Sequence, residues 1–553
     1  MRVTPDELAL RVGRCLASSV ERLGGDSSAV PTSVTVERPR NREHGDYATN
    51  AAMQTGKRAG LVPRDLAGAL ADCLRGELGV AEAQVAGPGF VNITLEAGAA
   101  GLLAATIVEQ GERYGHREAA GSRSVNVEFI SANPTGPLHL GHTRWAALGD
   151  ALARVLSASG ASVTREFYVN DRGAQLDRFG ESLMAVSHGQ PVPPDGYHGE
   201  YVRELAAHIV RDRPQIVTLP EDEQVAAFRE EGYRRQLAEQ QRQLAEFRTS
   251  FDVWASERVL HSSGKVAHGI DVLSEQGHLY ESEGALFMRT TEFGDDKDRV
   301  LVKQDGEYTY FASDTAYYID KRERGFDVCL YLLGADHHGY VGRLGAIAAC
   351  AGDDPTQTLD VLIGQLVKVI QGGEELRLSK RAGTIVTLQD VVDVAGVDAV
   401  RYSLCRYPAD SPLTLDLDLI TRRTADNPVF YVQYAHARLA SILRNAADLG
   451  VERGELDPAL LNHPRESALL GALGQFPRVV ATAAELREPH RVARYLEDTA
   501  AAFHRFYDEC RVLPQGDEKT SDQHRARLWL VLATRQVLAN GLNLLGVTAP
   551  DRM

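Results

Sequence analysis

No stretch of about 18 consecutive apolar residues occurs in this chain of 553 residues, so nothing in it reads as a membrane-spanning helix. Low-complexity tracts and repeats of fixed period are also absent, which sets aside disordered, fibrous and solenoid readings. The first residues, MRVTPDELALRVGRCLASSVERL, intersperse acids and bases along an amphipathic helix and lack the apolar core of a secretory signal, so a cytoplasmic location is expected. Cysteine is scarce: there are six, at 15, 73, 329, 350, 405 and 510, with no Cys-x-x-Cys pair. Neither a zinc knuckle nor a disulfide framework is expected from them, and they read as buried thiols. The net charge of -16 argues against indiscriminate nucleic-acid binding. It leaves room for an RNA partner met by local basic patches.

What is present is an ordinary globular composition, 44% apolar and 25% charged. The length supports roughly two to four domains. Residues 1–115 mix helical periodicity (Leu8 to Leu23, Leu66 to Leu78) with strand-like pieces at Ser33 to Arg38 and Gly89 to Leu95, as in a small α+β domain. Within it, RPRNREHGDYATN sets Arg38, Arg40 and Arg42 beside Tyr47, a cluster suited to a sugar-phosphate backbone and equally to a solvated loop.

Residues 116–410 read as α/β. SVNVEFI alternates, with Val125, Val127 and Phe129 on one face and Asn126, Glu128 and Ile130 on the other. Apolar residues then recur at helical spacing from Trp145 to Ser159, Gly160 stops the helix, and Ser162 to Val169 alternates again. Strand, helix, strand predicts a βαβ unit and a parallel sheet. A helical insertion is expected over about 195–285. Further strands are expected at Arg299 to Gln304, Cys329 to Leu333 and Asp360 to Ile370, completing a doubly wound sheet. From 411 to 553 the pattern is helical almost throughout, which predicts a C-terminal all-α bundle. On it Tyr434, His436, Arg438 and Arg444 are spaced to share a face, although aromatic residues at such spacing are more often core.

Between the first strand and its helix lies FISANPTGPLHLGHTRW. The carboxyl end of a strand is where open α/β sheets bind ligands, and a helix start there attracts phosphate. His139 and His142 fall on one side of that turn and can donate to phosphate oxygens; equally, they can cap the helix. Gly141 lets a flat group approach the backbone, Pro134 and Pro137 stiffen the loop, and Asn133 and Thr135 remain as polar tips. Downstream, GGEELRLSKRAGTIVTL places Arg377, Ser379, Lys380 and Arg381 between glycines, a loop suited to gripping a departing polyphosphate or to lying solvated.

In this order the two segments resemble the paired signatures of class I aminoacyl-tRNA synthetases, His-Ile-Gly-His and Lys-Met-Ser-Lys-Ser. Leu140 stands for Ile in the first; Arg377, Leu378 and Arg381 stand for Lys, Met and the last Ser in the second. The stretches VEFISANPTGPLHLGHTR, LLGADHHGYVGRL and DNPVFYVQYAHARLASILR resemble arginyl-tRNA synthetases of the bacterial type, and the likeness runs to the final LLGVTAPDRM. This resemblance implies an N-terminal domain that reads the tRNA elbow, a Rossmann catalytic domain and an anticodon-binding helix bundle. Its activity would be ATP-dependent ligation of L-arginine to tRNA-Arg, with Mg2+ carried on ATP and activation requiring bound tRNA. A monomer is expected.

The resemblance also implies site residues. His139, His142 and Lys380 would serve the phosphates. Thr135, Gly141, His337, Arg377 and Ser379 would join them around ATP. Glu128, Asn133, Tyr310, Asp314 and His338 would hold arginine; Arg38, Arg40, Arg42, Tyr47, Tyr434 and Arg438 would meet tRNA. A guanidinium pocket needs carboxylates, because an unpaired buried charge costs several kcal/mol. Tyr310 and Asp314 share one side if their segment is helical, although Asp314 also suits a helix cap. His337 and His338 follow the apolar run VCLYLL without an acidic set that would make a metal site, and no metal site is expected. Two rivals remain: an adenylate-forming ligase that turns over without tRNA, and a catalytically silent RNA-binding relative.

Overall fold

The computed structural model describes residues 5–39, 44–117, 123–376 and 386–553. Helix α1 (Pro5–Arg22) is followed by strand β1 (Tyr47–Thr49), helices α2 (Ala51–Gly56) and α3 (Pro63–Arg75), strands β2 (Val80–Ala86) and β3 (Phe90–Leu95), and helix α4 (Ala97–Gln110). The three strands pair in the order β1-β3-β2, antiparallel throughout. Leu8, Val12 and Leu16 of α1 and Leu66, Leu70 and Leu74 of α3 lie on the stripes that period 3.6 predicts, and they bury against Val91 and Ile93. Packing α1 on α3 brings Cys15 and Cys73 to a Cα separation of 5.7 Å, and they form a disulfide. This corrects the expectation of thiols at both positions, since helix-helix packing and not local spacing made the pair. Cys329, Cys350, Cys405 and Cys510 are buried free thiols, as expected.

Ser33 to Arg38 is not a strand: it pairs only at Glu37 with Ala48. Val36 is buried in the N-terminal core, while its carbonyl accepts from Arg478 of the C-terminal helices (2.9 Å) and Glu37 contacts the same guanidinium.

The middle of the chain begins with β4 (Ser124–Glu128), α5 (Leu140–Ala158) and β5 (Ser162–Val169). It continues through α6 (Ala174–Ser187), α7 (Glu200–Asp212), α8 (Glu221–Glu246), β6 (Val253–Ser256), α9 (Glu257–Ser262) and α10 (Lys265–Glu275). Next come β7 (Leu279–Ser282), β8 (Ala285–Met288), β9 (Arg299–Val302), α11 (Tyr310–Glu323), β10 (Val328–Gly334), α12 (Tyr340–Cys350) and the short α13 (Pro355–Thr358). Strands β11 (Leu359–Gly364), β12 (Val367–Gln371) and β13 (Glu374–Glu375) precede helix α14 (Leu388–Cys405) and strand β14 (Leu413–Asp416).

Among the described residues, five strands form a parallel sheet in the order β11-β10-β4-β5-β6. The chain winds outward from β4 on one side and returns to its other side at β10, so the carboxyl end of β4 is the switch point of a doubly wound sheet. Three expectations change here. The helical insertion closes at α8, because β6 pairs parallel with β5 inside the main sheet. Arg299 to Gln304 gives β9, which joins β7 and β8 in a separate antiparallel sheet. Asp360 to Ile370 splits at Gln365: β11 stays in the main sheet, while β12 pairs with β13 and β14 in a sheet of its own.

The chain ends with the short α15 (Leu417–Ile420) and the long helices α16 (Pro428–Asp448), α17 (Pro464–Gly474), α18 (Phe476–Glu485), α19 (His490–Glu509) and α20 (Asp522–Leu544). These share one continuous core with the parallel sheet, through residues such as Leu148, Val400, Leu404, Leu439, Leu496 and Leu538. Helix α4 joins that core through Leu103, Ala104 and Ile107, whereas α1 to β3 bury a core of their own.

Candidate active site

Beyond β4 the backbone turns sharply, with Ile130 (φ 70°) and Ser131 (φ 45°) in the left-handed region that β-branched residues avoid. Surrounding contacts hold the turn. The Ser131 hydroxyl donates to Glu128 (3.0 Å) and accepts from the Tyr168 amide (3.2 Å). The buried amide of Gln240, on α8, donates to the carbonyls of Asn133 (3.0 Å) and Gly136 (2.8 Å), and the Tyr201 hydroxyl donates to that of Thr135 (3.1 Å). The insertion thus braces the loop. Asn133 is exposed and donates to Gln175 (2.6 Å), but Thr135 is buried beneath the insertion and is not the polar tip expected of it.

His139 is the N-cap of α5, six residues before the apolar periodicity begins at Trp145. Its Nδ1 accepts from the Gly141 amide (3.1 Å), and the Nδ1 of His142 accepts from the His139 amide (3.3 Å). Each ring thus uses its Nδ1 as the acceptor, which leaves Nε2 as the donor position. The rings stack 3.6 Å apart with 22° between their planes. Gly141 fits closely under this arrangement, because a Cβ there would come within 3.1 Å of the His139 ring. The open space expected over Gly141 is thus filled by an imidazole. Capping and display at a helix start coexist in these two residues.

The segment that follows Lys380 meets this loop. The Leu140 amide donates to the Val386 carbonyl (3.1 Å) and the Leu388 amide to that of Leu138 (2.8 Å). Arg377, Ser379, Lys380 and Arg381 lie outside the described residues.

A second group of side chains lies beside the loop, around helix α11. Thr309 caps α11, donating its hydroxyl to the Val300 carbonyl and accepting from the Ala312 amide, so Asp314 is not a cap. Tyr310 and Asp314 do lie on one helix, as the spacing anticipated, with Tyr310 exposed near Gly173 and Asp314 turned inward to receive a hydrogen bond from Tyr340. Burial and the nearby Glu128 push the Asp314 carboxyl up to about 6, against the lowering effect of Tyr340. Glu257, at the start of α9, is buried, and burial followed by the charge of Asp314 raises it to about 7. Its Oε1 has no hydrogen-bond partner. Two buried carboxyls, each raised mainly by burial and Glu257 further by Asp314, lie here, and one Glu257 oxygen has no hydrogen-bond partner.

Glu128 is placed differently from expectation. The ammonium of the fully buried Lys321 sits 2.5 Å from it, between the rings of Tyr317 (4.5 Å) and Tyr331 (4.0 Å). Its carboxylate is paired within the fold. His337 and His338 stand exposed at the carboxyl end of β10, His337 3.5 Å from Asp336. No group of acidic, His or Cys side chains among the described residues is arranged to hold a metal ion.

The residues expected at tRNA separate in space. Tyr47 is buried in the core under β1 and cannot stack on a nucleic acid. Arg38 donates to the carbonyls of Ser467 (3.1 Å) and Ala468 (3.4 Å), its guanidinium lying over Gly471 of α17. Its donors serve contact between two parts of the chain. Arg40 and Arg42 lie outside the described residues. On α16, Tyr434 is exposed and stacks with Phe430 (5.9 Å), and Arg438 lies 4.4 Å over Tyr507. His436 is buried instead, bonded to the Pro550 carbonyl (2.8 Å), and Arg444 reaches that of Asp551 (3.1 Å). The four therefore occupy two faces.

Comparison with known sequences agrees with this geometry. The family described as tRNA synthetases class I (R), catalytic domain, matches residues 104–189 and 209–403. The arginyl tRNA synthetase N terminal domain matches 11–95, and the DALR anticodon binding domain matches 432–553. The arginine–tRNA ligase of Paenarthrobacter aurescens (strain TC1) is 55% identical over 553 residues, covering 100% of both chains. The chain belongs to the arginyl-tRNA synthetase family. The arginine–tRNA ligase of Frankia alni is 56% identical over 550 residues, 99% of each chain. The Thermus thermophilus arginyl-tRNA synthetase structure shares the fold, with a TM-score of 0.76 at 24% identity over 99% of this chain and 100% of that one.

In this synthetase no signal in the sequence marked the carboxyl beside Asp314. Glu257 sits in an unremarkable helix start, SERVL, and carries no motif of its own. Only the packing of α9 on α11 brings it to Asp314. Its neighbours Tyr168, Asp171 and Arg172 come from β5 and the loop after it, again without a spacing signal. No described helix is long and apolar enough to cross a membrane.

Proposed function

We propose that this chain ligates L-arginine to tRNA-Arg in two steps, using ATP. The observation that carries the reading is the pair of buried carboxyls, Asp314 and Glu257, beside a helix start that displays His139 and His142 at the switch point of a parallel sheet. A guanidinium is planar and forked, and it satisfies two carboxylates in a way that a lysine ammonium or a neutral side chain does not. An uncharged analogue leaves both carboxylates unpaired and is rejected strongly, so no editing site is needed.

Arginine enters with its side chain between Asp314 and Glu257. Tyr310 borders the guanidinium, and Glu128 contributes only its field through the Lys321 pair. Asn133 holds the α-amino and carboxylate groups at the loop, with His338 at the pocket edge. ATP carries Mg2+ as part of the substrate. The arginine carboxylate oxygen attacks the α-phosphorus, the bond to the β,γ unit breaks, and pyrophosphate leaves with arginyl-adenylate formed. His139 and His142, with Lys380, Arg377 and Ser379, follow the phosphate charge; His337 borders the nucleotide, and Gly141 and Thr135 shape the loop beneath it. In the second step the 2'-hydroxyl of the terminal adenosine attacks the arginyl carbonyl, losing its proton, and AMP leaves. Little covalent chemistry falls to the protein, so positioning and preorganised charge dominate.

We assign residues 116–410 to this chemistry, 1–115 to contact with the tRNA body and 411–553 to the anticodon, with Tyr434 and Arg438 on the RNA side of α16 and Arg40 and Arg42 at the N-terminal end. The enzyme acts as a cytoplasmic monomer. Pyrophosphate exchange with a panel of amino acids, with and without tRNA, tests the reading. Arginine-specific exchange that needs tRNA is the expected result; exchange indifferent to arginine overturns it.

A further inference from the structure

Arg144 lies on α5 two residues beyond His142, and it is nearly inaccessible, with 2% of its surface exposed. Its guanidinium donates to three main-chain carbonyls: Gln365 (2.7 Å), Pro408 (2.8 Å) and Ser411 (2.9 Å). Gln365 lies between β11 and β12, and Pro408 and Ser411 lie between α14 and β14. One side chain therefore grips both connections at the base of the β13-β12-β14 sheet and ties them to the helix that begins with the two histidines. Burial lowers the Arg144 pKa to about 10, so it is a cation at neutral pH. Its Nε finds no partner. Such a group is poorly chosen for stability alone, because part of its desolvation goes uncompensated.

The same two bodies are tied a second time, further along α5. Asp150 and Arg401 form an ion pair (2.5 Å) with neither side chain exposed, joining α5 to α14. Helix α14 is capped by Thr387, whose neighbours Val386 and Leu388 are bonded to Leu140 and Leu138. Helix α5, helix α14 and the small sheet are thus held in one register.

We propose that Arg144 is a positioning residue for adenylate formation, fixing the start of α5 against the connections that lead into β12 and β14 so that His139 and His142 keep their place at the switch point of the sheet. The proposal rests on the adenylate chemistry inferred above. Arg144 touches neither arginine nor ATP; it acts through the carbonyls it holds. A fork with several donors is needed because the three acceptors diverge, and a lysine reaches only some of them.

The test is arginine-dependent pyrophosphate exchange in the presence of tRNA, with turnover normalised to titrated active sites, for the wild type and for R144M, R144K and R406M. In R144M, kcat per active site is expected to fall about 30-fold while the KM for arginine stays within about twofold, because misplacement lowers the rate of a preorganised step more than ground-state binding. R144K should recover part of that loss, about threefold to tenfold, by bonding some of the carbonyls. R406M cuts an ion pair between the C-cap of α14 and Glu497 of α19 (2.8 Å), leaving the Arg144 bonds to the Gln365, Pro408 and Ser411 carbonyls in place, and should lower thermal stability without changing kcat per active site. An unchanged kcat in both Arg144 variants overturns the proposal, as does a KM that rises as far as kcat falls. If R144M does not fold, R144K decides: turnover equal to wild type overturns the proposal, and a selective loss of kcat supports it. Absence of arginine-dependent exchange in the wild type would instead overturn the assigned activity.

Discussion

The Lys321 ammonium lies 2.5 Å from the Glu128 carboxylate, with no part of the lysine side chain exposed. This pairing removes Glu128 from the set of carboxylates open to a ligand. Two charges taken out of water survive there because each satisfies the other and the lysine also faces two aromatic rings. In K321M the carboxylate is left buried and unpaired, and the destabilisation should be about 3 kcal/mol or more. The double variant K321M/E128L should regain most of that loss. Thermal melting of the three proteins checks this; a double variant as unstable as the single one would show that the pair is not coupled.

Asp314 and Glu257 should control arginine selection. D314N and E257Q are each expected to raise the KM for arginine by about two orders of magnitude, since an amide cannot compensate a buried guanidinium charge. The KM for ATP should change little. Steady-state exchange kinetics with each substrate varied in turn distinguish the two, and equal effects on both KM values would place these residues elsewhere.

The pocket should also titrate. Both carboxyls are raised in the fold, Asp314 from 3.8 to about 6 and Glu257 from 4.5 to about 7, so the folded protein holds protons that the unfolded chain has lost. Their contribution to stability is complete below the unfolded values and is lost as pH rises through about 6 to 7. Arginine binding runs the other way, because the guanidinium favours the ionised pair. Affinity for arginine should strengthen between pH 5.5 and 8, with proton release on binding. Calorimetry in buffers of different ionisation enthalpy measures that release, and E257Q should reduce it.

His139 serves as cap and as display group, and the two roles separate by substitution. H139A should cost α5 about 1 kcal/mol through the lost cap, whereas H139N keeps an oxygen that can accept from the Gly141 amide. Both should lose pyrophosphate-exchange turnover if the imidazole serves the phosphates. Melting temperature and kcat measured on both variants decide, with full activity in H139N removing the imidazole from the chemistry.

Arg38 and Gly471 make one contact, since a Cβ on Gly471 would fall 1.8 Å from the guanidinium carbon of Arg38. R38M and G471A should therefore destabilise the join between the N-terminal part and α17 in a non-additive way. The double variant is expected to melt close to the less stable single one. Additive losses would show two separate contacts.

Much of the fold was legible because burial imposes local periods. The switch from alternating residues at Val125–Phe129 to helical spacing after Trp145 marks β4 and α5, and Ser162 to Val169 matches β5 residue for residue. The His pair was legible at a carboxyl end for the same reason. Boundaries were less so: α5 begins at a histidine cap that periodicity does not register, and Asp360 to Ile370 conceals a break between two sheets because both halves are apolar and strand-like.

By itself the sequence determined which faces are buried, the βαβ start of the parallel sheet, the helical C-terminal third and the two polar segments at the site, because each of these depends on residues within a few turns of one another. Tertiary structure alone decided the partner of each charge. Lys321 meets Glu128 across 193 residues, Arg144 reaches carbonyls 221 to 267 residues away, and Arg38 reaches α17 across 429. Glu257 came beside Asp314 only when α9 packed on α11. Periodicity records that a side chain turns inward; what it meets there depends on how the layers are stacked, and that is a property of the folded chain as a whole.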